Sequence, residues 1–302
     1  EYYVNRALAM DTNNVSSCFF FAEVKYKLKY FKTAVKYYEK TLSLDSGHIG
    51  AKNNIAYILA FELKDPKSAI PYLLSALKQD SANYITHHIL GNIYGNTSLK
   101  DPVKSEYHYK KSREYMKTDN AGTYFGLAIA ACEKNDFLSA KIHVLKSLSL
   151  DSSNAKVQAY TGYIFMMLQQ FDSALYFLNK ATLIDSLNFE VNHFYGMFYC
   201  YADNTRYIDS KKAIAYLETS LKIYPDGIES LQYSGILYFQ QGDDEKSKKT
   251  FLRLYKLQPN NYQANKYLGL ICQAKQDYKQ AKLYYENAVS LNSEDDQVHR
   301  GL

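Results

Sequence analysis

The stretch LGLICQAKQDYKQAKLYYENAVSLNS (residues 268–293) decides how the rest of the chain is read. It holds two helical patterns in succession. A small residue, Gly269, stands in the first and another, Ala281, in the second, with the aromatic Tyr285 one helical turn further on. Two helices that cross closely need small residues where their backbones approach, because a large side chain there overpacks the contact and costs about 1–3 kcal/mol. A residue four positions on lies on the same helical face, so Tyr285 is placed to fill the space beside that contact.

Moving outward, the same phrase recurs along the chain. AVKYYEKTLSLDS (34–46), AIPYLLSALKQDS (69–81), SALYFLNKATLIDS (173–186) and AIAYLETSLKIYPD (213–226) share it with AKLYYENAVSLNS (281–293). The anchoring small residues are Ala34, Ala69, Ser105, Ala140, Ala174, Ala213, Ser247 and Ala281, spaced by 35, 36, 35, 34, 39, 34 and 34. Each has a small partner upstream: Ala22, Ala56, Gly91, Ala128, Gly162, Gly196, Gly235 and Gly269. The separation is 12 to 14 positions in seven units and 17 in the sixth, which carries an insertion. Four residues after each anchor comes a large group, in order Tyr38, Leu73, Tyr109, Val144, Leu178, Leu217, Phe251 and Tyr285. Units close on Asp-Ser, as at Asp45-Ser46, Asp80-Ser81, Asp151-Ser152 and Asp185-Ser186, or on Pro225 and Pro259. Ser and Asp are expected to cap the following helix and Pro to stop the preceding one.

This pattern resembles the tetratricopeptide repeat, which runs Leu-Gly-x-x-Tyr, then Ala-x-x-x-Phe, then Pro over about 34 residues. Leu268-Gly269 through Ser293 and Leu90-Gly91-Asn92-Ile93-Tyr94 fit it best. No unit carries the family's Trp, most have Ser in place of the closing Pro, and the third ends in an altered segment, Arg113 to Thr118. The resemblance implies an all-α fold, a right-handed α-solenoid (superhelix) of stacked antiparallel helix pairs. Over residues 1–302 it reads as a single solenoid with full repeats at 15–48, 49–83, 84–118, 121–154, 155–188, 189–227, 228–261 and 262–295. Residues 1–13 read as the second helix of a preceding repeat and 296–302 as the start of a further one. Terminal repeats usually carry polar caps and neither end does, so the chain is expected to be part of a longer array or protein. Three hairpin turns are lengthened: Glu62–Lys67, Gly95–Lys104 and Ala202–Lys212.

Composition narrows the function classes. Hydrophobic residues make up 47% and charged residues 22% of 302 positions, enough for a folded core. The 36 Lys and Arg against 31 Asp and Glu are scattered, the densest cluster being Lys246, Lys248 and Lys249. That argues against nucleic acid, whose binders concentrate charge in a patch. Only 13 Gly and 5 Pro punctuate the chain, which favours helices. Tyr numbers 31, which calls for many half-buried aromatic positions. No apolar run reaches the ~18 residues a spanning helix needs, so direct membrane insertion is not expected. The compartment stays open between cytoplasm and, with an upstream signal removed, a periplasmic or extracytoplasmic setting.

Chemistry-bearing motifs are missing. There is no GxGxxG, GxxxxGK[ST], GxSxG, HExxH or EF-hand loop. Cys18, Cys132, Cys200 and Cys272 lie far apart and read as small core residues. His87 and His88 diverge by about 100° on a helix and cannot share a metal as i, i+4 pairs do. The chain is therefore expected to be no enzyme, with no cofactor and no metal.

A stacked array of hairpins presents a concave surface lined by the first helix of each repeat. The resemblance places its groove-facing positions three before, one after and four after the small residue of that helix. Among them are Tyr26, Tyr57, His88, Asn92, Phe125, Ile129, Tyr163, Met166, His193, Met197 and Phe239. The set is aromatic and apolar with little charge, the composition of interface cores. Some relatives grip a C-terminal carboxylate with a Lys/Asn/Arg clamp, but no groove Lys or Arg accompanies Asn53 or Asn92. The Asn ladder of others is reduced to Asn54. The expected function is a non-catalytic protein–protein interaction scaffold that binds a peptide or protein segment in an aromatic concave groove centred on Tyr163, Met166, His193 and Met197. The alternatives are a sensory or regulatory module of a larger signalling protein, membrane-tethered or not, and carbohydrate binding through groove tyrosines. Oligomeric state stays open.

Overall fold

The computed structural model describes residues 13–201 and 205–301. The fragment expected at 1–13 lies, but for its last residue, outside them, as does the tip of the Ala202–Lys212 turn. Regular structure among the described residues is helical throughout, with no strand. The helices are α1 (Val15–Lys27), α2 (Phe31–Leu44), α3 (Ile49–Tyr57, continued by a π turn Ile58–Glu62), α4 (Pro66–Gln79), α5 (Tyr84–Asn96), α6 (Pro102–Tyr115), α7 (Ala121–Glu133) and α8 (Phe137–Leu150). They continue as α9 (Ala155–Met167), α10 (Phe171–Ile184), α11 (Phe189–Cys200), α12 (Ser210–Ile223), α13 (Ile228–Gln240), α14 (Asp244–Leu257), α15 (Tyr262–Ala274), α16 (Tyr278–Leu291) and the short α17 (Asp296–Gly301).

Contacts gather these into two compact units, residues 1–152 and 153–302. Within each, every odd-numbered helix packs on the even-numbered helix that follows it, giving antiparallel pairs in chain order. Odd-numbered helices also touch the next odd-numbered helix, as α3 with α5 and α5 with α7 in the first unit and α9 with α11 in the second. Even-numbered helices make no comparable contact with one another. First helices thus form a close inner row and second helices a spaced outer row. Within each unit this is the solenoid architecture.

Turn chemistry follows a rule that the Asp-Ser endings did not announce. First helices are capped mostly by asparagine: Asn14, Asn83, Asn120, Asn154, Asn188 and Asn261 accept a backbone N–H two or three residues on. Second helices are capped by aspartate at Asp65, Asp101, Asp136, Asp209, Asp243 and Asp277. The closing aspartates expected to cap the next helix do something else. Asp45, Asp80 and Asp185 each accept from the N–H two residues on, at Gly47, Ala82 and Leu187, which folds the link between repeats. Within six hairpins the turn needs one left-handed residue, and only Gly242 is a glycine. Lys29, Lys64, Asn135, Gln169 and Gln276 adopt positive φ instead.

The small residues lie where the helices of a pair meet. Every anchor from Ala34 to Ala281 is buried. A methyl group on Gly162 would come 2.7 Å from Leu178 Cγ and 3.1 Å from the Ala174 carbonyl, and one on Gly196 would come 2.5 Å from Leu217 Cγ. Where the anchor is a serine, its hydroxyl is bonded across this contact. Ser105 donates to the Gly91 carbonyl at 2.9 Å and Ser247 to the Gly235 carbonyl at 3.0 Å. A buried hydroxyl is tolerated because it has this partner. Cys18, Cys132 and Cys272 are buried and Cys200 is half-buried; none is bridged. Burial pushes the Cys132 thiol up to about 12 and the Cys200 thiol up to about 11.

Candidate functional site

The first unit carries an open recess of about 200 Å³ on its first-helix row. Glu23, Tyr26 and Lys27 come from α1, Tyr38 from α2, and Asn54, Tyr57 and Ile58 from α3. Its placement follows from the repeat. Tyr26 stands one turn after the small Ala22, and Tyr57 directly follows the small Ala56, so both project beside a close helix contact. The Tyr26 and Tyr57 rings meet edge to face, 6.3 Å apart at 89°, and Phe61 backs Tyr57 at 5.0 Å. Tyr57 keeps 38% of its surface exposed. The floor is fixed by Asn54, whose Nδ2 donates to Tyr38 Oη at 3.0 Å. Directly beyond Tyr57 the helix widens into its π turn, where Leu63 N–H reaches back to the Ile58 carbonyl at 2.9 Å. Burial, then the neighbouring Tyr57 and Glu62, raise the Tyr26 phenol above its usual value.

Other expected groove residues of this unit serve structure as well. Asn92 accepts from Tyr109 Oη at 2.7 Å, and His88 Nδ1 lies 3.1 Å from Thr123 Oγ1 in a smaller recess of about 120 Å³. Desolvation holds His88 below the ordinary histidine value. Phe125 is half-buried, and Ile129, at 7% exposure, is core.

In the second unit the expected centre of the groove is mostly packed interior. Met166 is 0%, His193 3% and Met197 8% exposed; only Tyr163 of that quartet keeps an open face. The reason is the tight inner row. Helix α11 is buried along Val191–Phe198, so positions that would face a groove are closed over by α9 and α13. Tyr163 stacks on Phe194 with centroids 4.8 Å apart and planes at 14°. Phe239 is half-buried and meets Tyr267 edge-on at 5.1 Å.

His193 belongs to a chain of polar groups that spacing along the sequence did not reveal. Its Nε2–H donates to Glu229 at 3.0 Å, which leaves Nδ1 to accept from Ser230 Oγ at 2.8 Å; Ser220 Oγ lies 2.9 Å from Ser230 Oγ. The order Ser–His–Glu has the connectivity of a nucleophile, base and orienting carboxylate. Ser220 and Ser230 have no exposed surface, however, so no acyl carbon can reach either hydroxyl. The chain joins α11, α12 and α13 and satisfies buried polar groups. No group of three or more His, Cys, Asp or Glu placed to hold a metal occurs among the described residues. No helix among them is long and apolar enough to cross a membrane.

These features define an all-helical hairpin-repeat protein with an aromatic recess on the first-helix row of its first unit. The sequence model of the tetratricopeptide repeat matches residues 15–48, 229–261 and 268–295, so the chain carries tetratricopeptide repeats at these segments, and the remaining helices pack in the same consecutive pairs. Solved structures of similar fold include a chain of the APC/C hetero-tetramer Cut9–Hcn1, with a TM-score of 0.70 and 12% identity over 90% of this chain and 52% of that one. This chain therefore spans about half the length of that relative. PilF of Pseudomonas aeruginosa has a TM-score of 0.59 and 16% identity over 73% of this chain and 96% of its own. A tetratricopeptide repeat protein from Parabacteroides merdae has a TM-score of 0.57 and 14% identity over 84% and 97%. No curated protein sequence matches this one. At these identities the likeness is one of fold.

Proposed function

We propose that this chain is a non-catalytic interaction scaffold that binds a peptide or protein segment on its first-helix face, with the Tyr26–Tyr57 recess of the first unit receiving an anchoring side chain. The observation that carries this reading is the recess itself, about 200 Å³ walled by aromatic rings on a rigid floor. A pocket of that size accommodates one large side chain. Aromatic walls held by neighbouring helices lose little freedom on binding, which is where interface hot spots arise. In the same unit the half-buried Phe125 supplies further aromatic surface on a first helix. The Cut9–Hcn1 hetero-tetramer, an assembly of different proteins on a chain of this fold, is consistent with it.

The test is selection of a random peptide library displayed on phage against the full chain and against Tyr57→Glu. Tyr57 is exposed enough that the substitution should leave the melting temperature unchanged. The expected result is a set of peptides that bind the parent chain at least ~10-fold more tightly than the variant, a difference of about 1.4 kcal/mol. Equal enrichment on both, with both folded, would remove the recess as the anchor site.

A further inference from the structure

Accepting that a peptide segment binds here, we infer that the side chain it places between Tyr26 and Tyr57 is cationic, a lysine or an arginine. Two observations independent of the recess shape lead to this. The first concerns the rings. Elsewhere several tyrosines carry one of the chain's own cations: Lys104 lies 5.3 Å from the centroid of Tyr94, Lys180 4.5 Å from Tyr176, Lys212 5.2 Å from Tyr199 and Lys246 5.3 Å from Tyr238. Lys25, on the same helix as Tyr26, is turned away, 4.9 Å from the centroid of Phe21 and 5.5 Å from that of Tyr30. Among the described residues no Lys or Arg caps Tyr26, Tyr38 or Tyr57. Three ring systems thus converge on the recess without the cation that their negative faces attract.

The second concerns charge. Glu23 lines the recess and Glu62, at the end of the π turn, is close enough for its charge to act on the Tyr26 phenol. Both carboxylates are half-buried, and neither is paired with a Lys or Arg among the described residues. Other half-buried carboxylates of this unit have partners: Glu106 meets Lys134 at 2.6 Å and Lys110 at 2.8 Å. Lys27 also lines the recess and offsets one of the two charges. An alkylammonium or guanidinium entering between Tyr26 and Tyr57 would lie against ring faces beside the Glu23 carboxylate, and its methylene stem would cover the apolar wall of Ile58.

The experiment uses the full chain and peptides from a random library. Each enriched peptide is remade with its invariant residue as Lys, Arg or norleucine, and affinities are measured at low and high salt on the parent chain and on the Glu23→Gln/Glu62→Gln variant. The expected result is an invariant Lys or Arg, a loss of about 10-fold on changing it to norleucine, and a similar loss on the double variant. The norleucine peptide should bind parent and variant alike. Peptides that depend on Tyr57 but bind equally well as Lys and norleucine forms would overturn the cationic anchor and leave peptide binding at the recess standing. Peptides indifferent to both Tyr57→Glu and the glutamine variant would overturn the two together.

Discussion

Replacing Tyr109 with alanine is expected to destabilise the first unit by about 3–5 kcal/mol, the range for removing a buried aromatic ring. The ring is 1% exposed and is held on both sides by glycine. A methyl group added at Gly91, on its own pair, would come 2.9 Å from three ring atoms; one added at Gly126, on the next pair, would come 2.1 Å from Cζ. Removal opens a cavity between two repeats and strands the Asn92 Oδ1 that its hydroxyl satisfies. The complementary change is Gly126→Ala. In a helix interior this exchange ordinarily stabilises by about 1 kcal/mol. Here the ring has no direction in which to retreat, so the sign is expected to reverse and the loss to reach several kcal/mol. Urea titration of the full chain, followed by helical signal, checks both. A neutral or stabilising Gly126→Ala would show that the ring is not clamped. Tyr285 is held in the same way between Gly269 and Gly301.

The second large effect is loss of stability in acid. His87 Nε2 lies 3.2 Å from the Ser81 carbonyl, which can only accept, so His87 carries its proton there and offers a bare Nδ1. His108 Nδ1, 2.9 Å away, must then be the donor. A second proton on His87 would go to Nδ1 and set two N–H groups against each other, whereas one on His108 would go to Nε2 and is opposed by burial and neighbouring positive charge. Around the pair stand Lys111, Glu114 and Asp80 near His87 and Lys104 near His108, with Tyr94 stacked on the His108 ring. Burial, then His87 and Lys104, pushes His108 down to about 4 from an ordinary 6.5, and burial lowers His87 as well. The unfolded chain therefore binds more protons than the folded one between these values. Stability is fully present above about pH 6.5 and is lost as pH falls toward 4, by about 2–3 kcal/mol for the pair. Melting temperatures from pH 7 to 4.5 should fall steeply for the parent chain and less steeply for His87→Gln/His108→Gln. Some slope should persist in the variant, because His88 and His143 are also held neutral by burial.

Much of the fold was legible because it rests on a contact that few residues satisfy. A glycine, alanine or serine at each helix crossing leaves a period that survives divergence elsewhere, and Gly162 against Leu178 shows why nothing larger is accepted. Cap residues were less legible. Asp-Ser endings look like caps, yet the capping side chain is the asparagine that follows. The groove was read one level too simply. Counting positions from the small residue gives the direction of a side chain, not whether the next helix covers it. Met166, His193 and Met197 point inward along the first-helix row, but α9, α11 and α13 approach closely enough to enclose them. Tyr26 and Tyr57, at equivalent offsets, stay open where the π turn widens α3. The His193–Ser230 and His87–His108 pairs join residues 37 and 21 positions apart, beyond any local pattern.

The unbridged cysteines give each unit an internal clock. Cys18 and Cys132 lie in the first unit and Cys272 in the second, all enclosed. A thiol buried in apolar surroundings is not a nucleophile, because alkylation requires the thiolate and access to it. Reaction with a maleimide then measures how often the surrounding helices part, and mass spectrometry of the labelled peptides separates one unit from the other. A chain whose Cys272 reacts before Cys132 would be opening from its C-terminal repeats while the recess at Tyr26 and Tyr57 remained assembled.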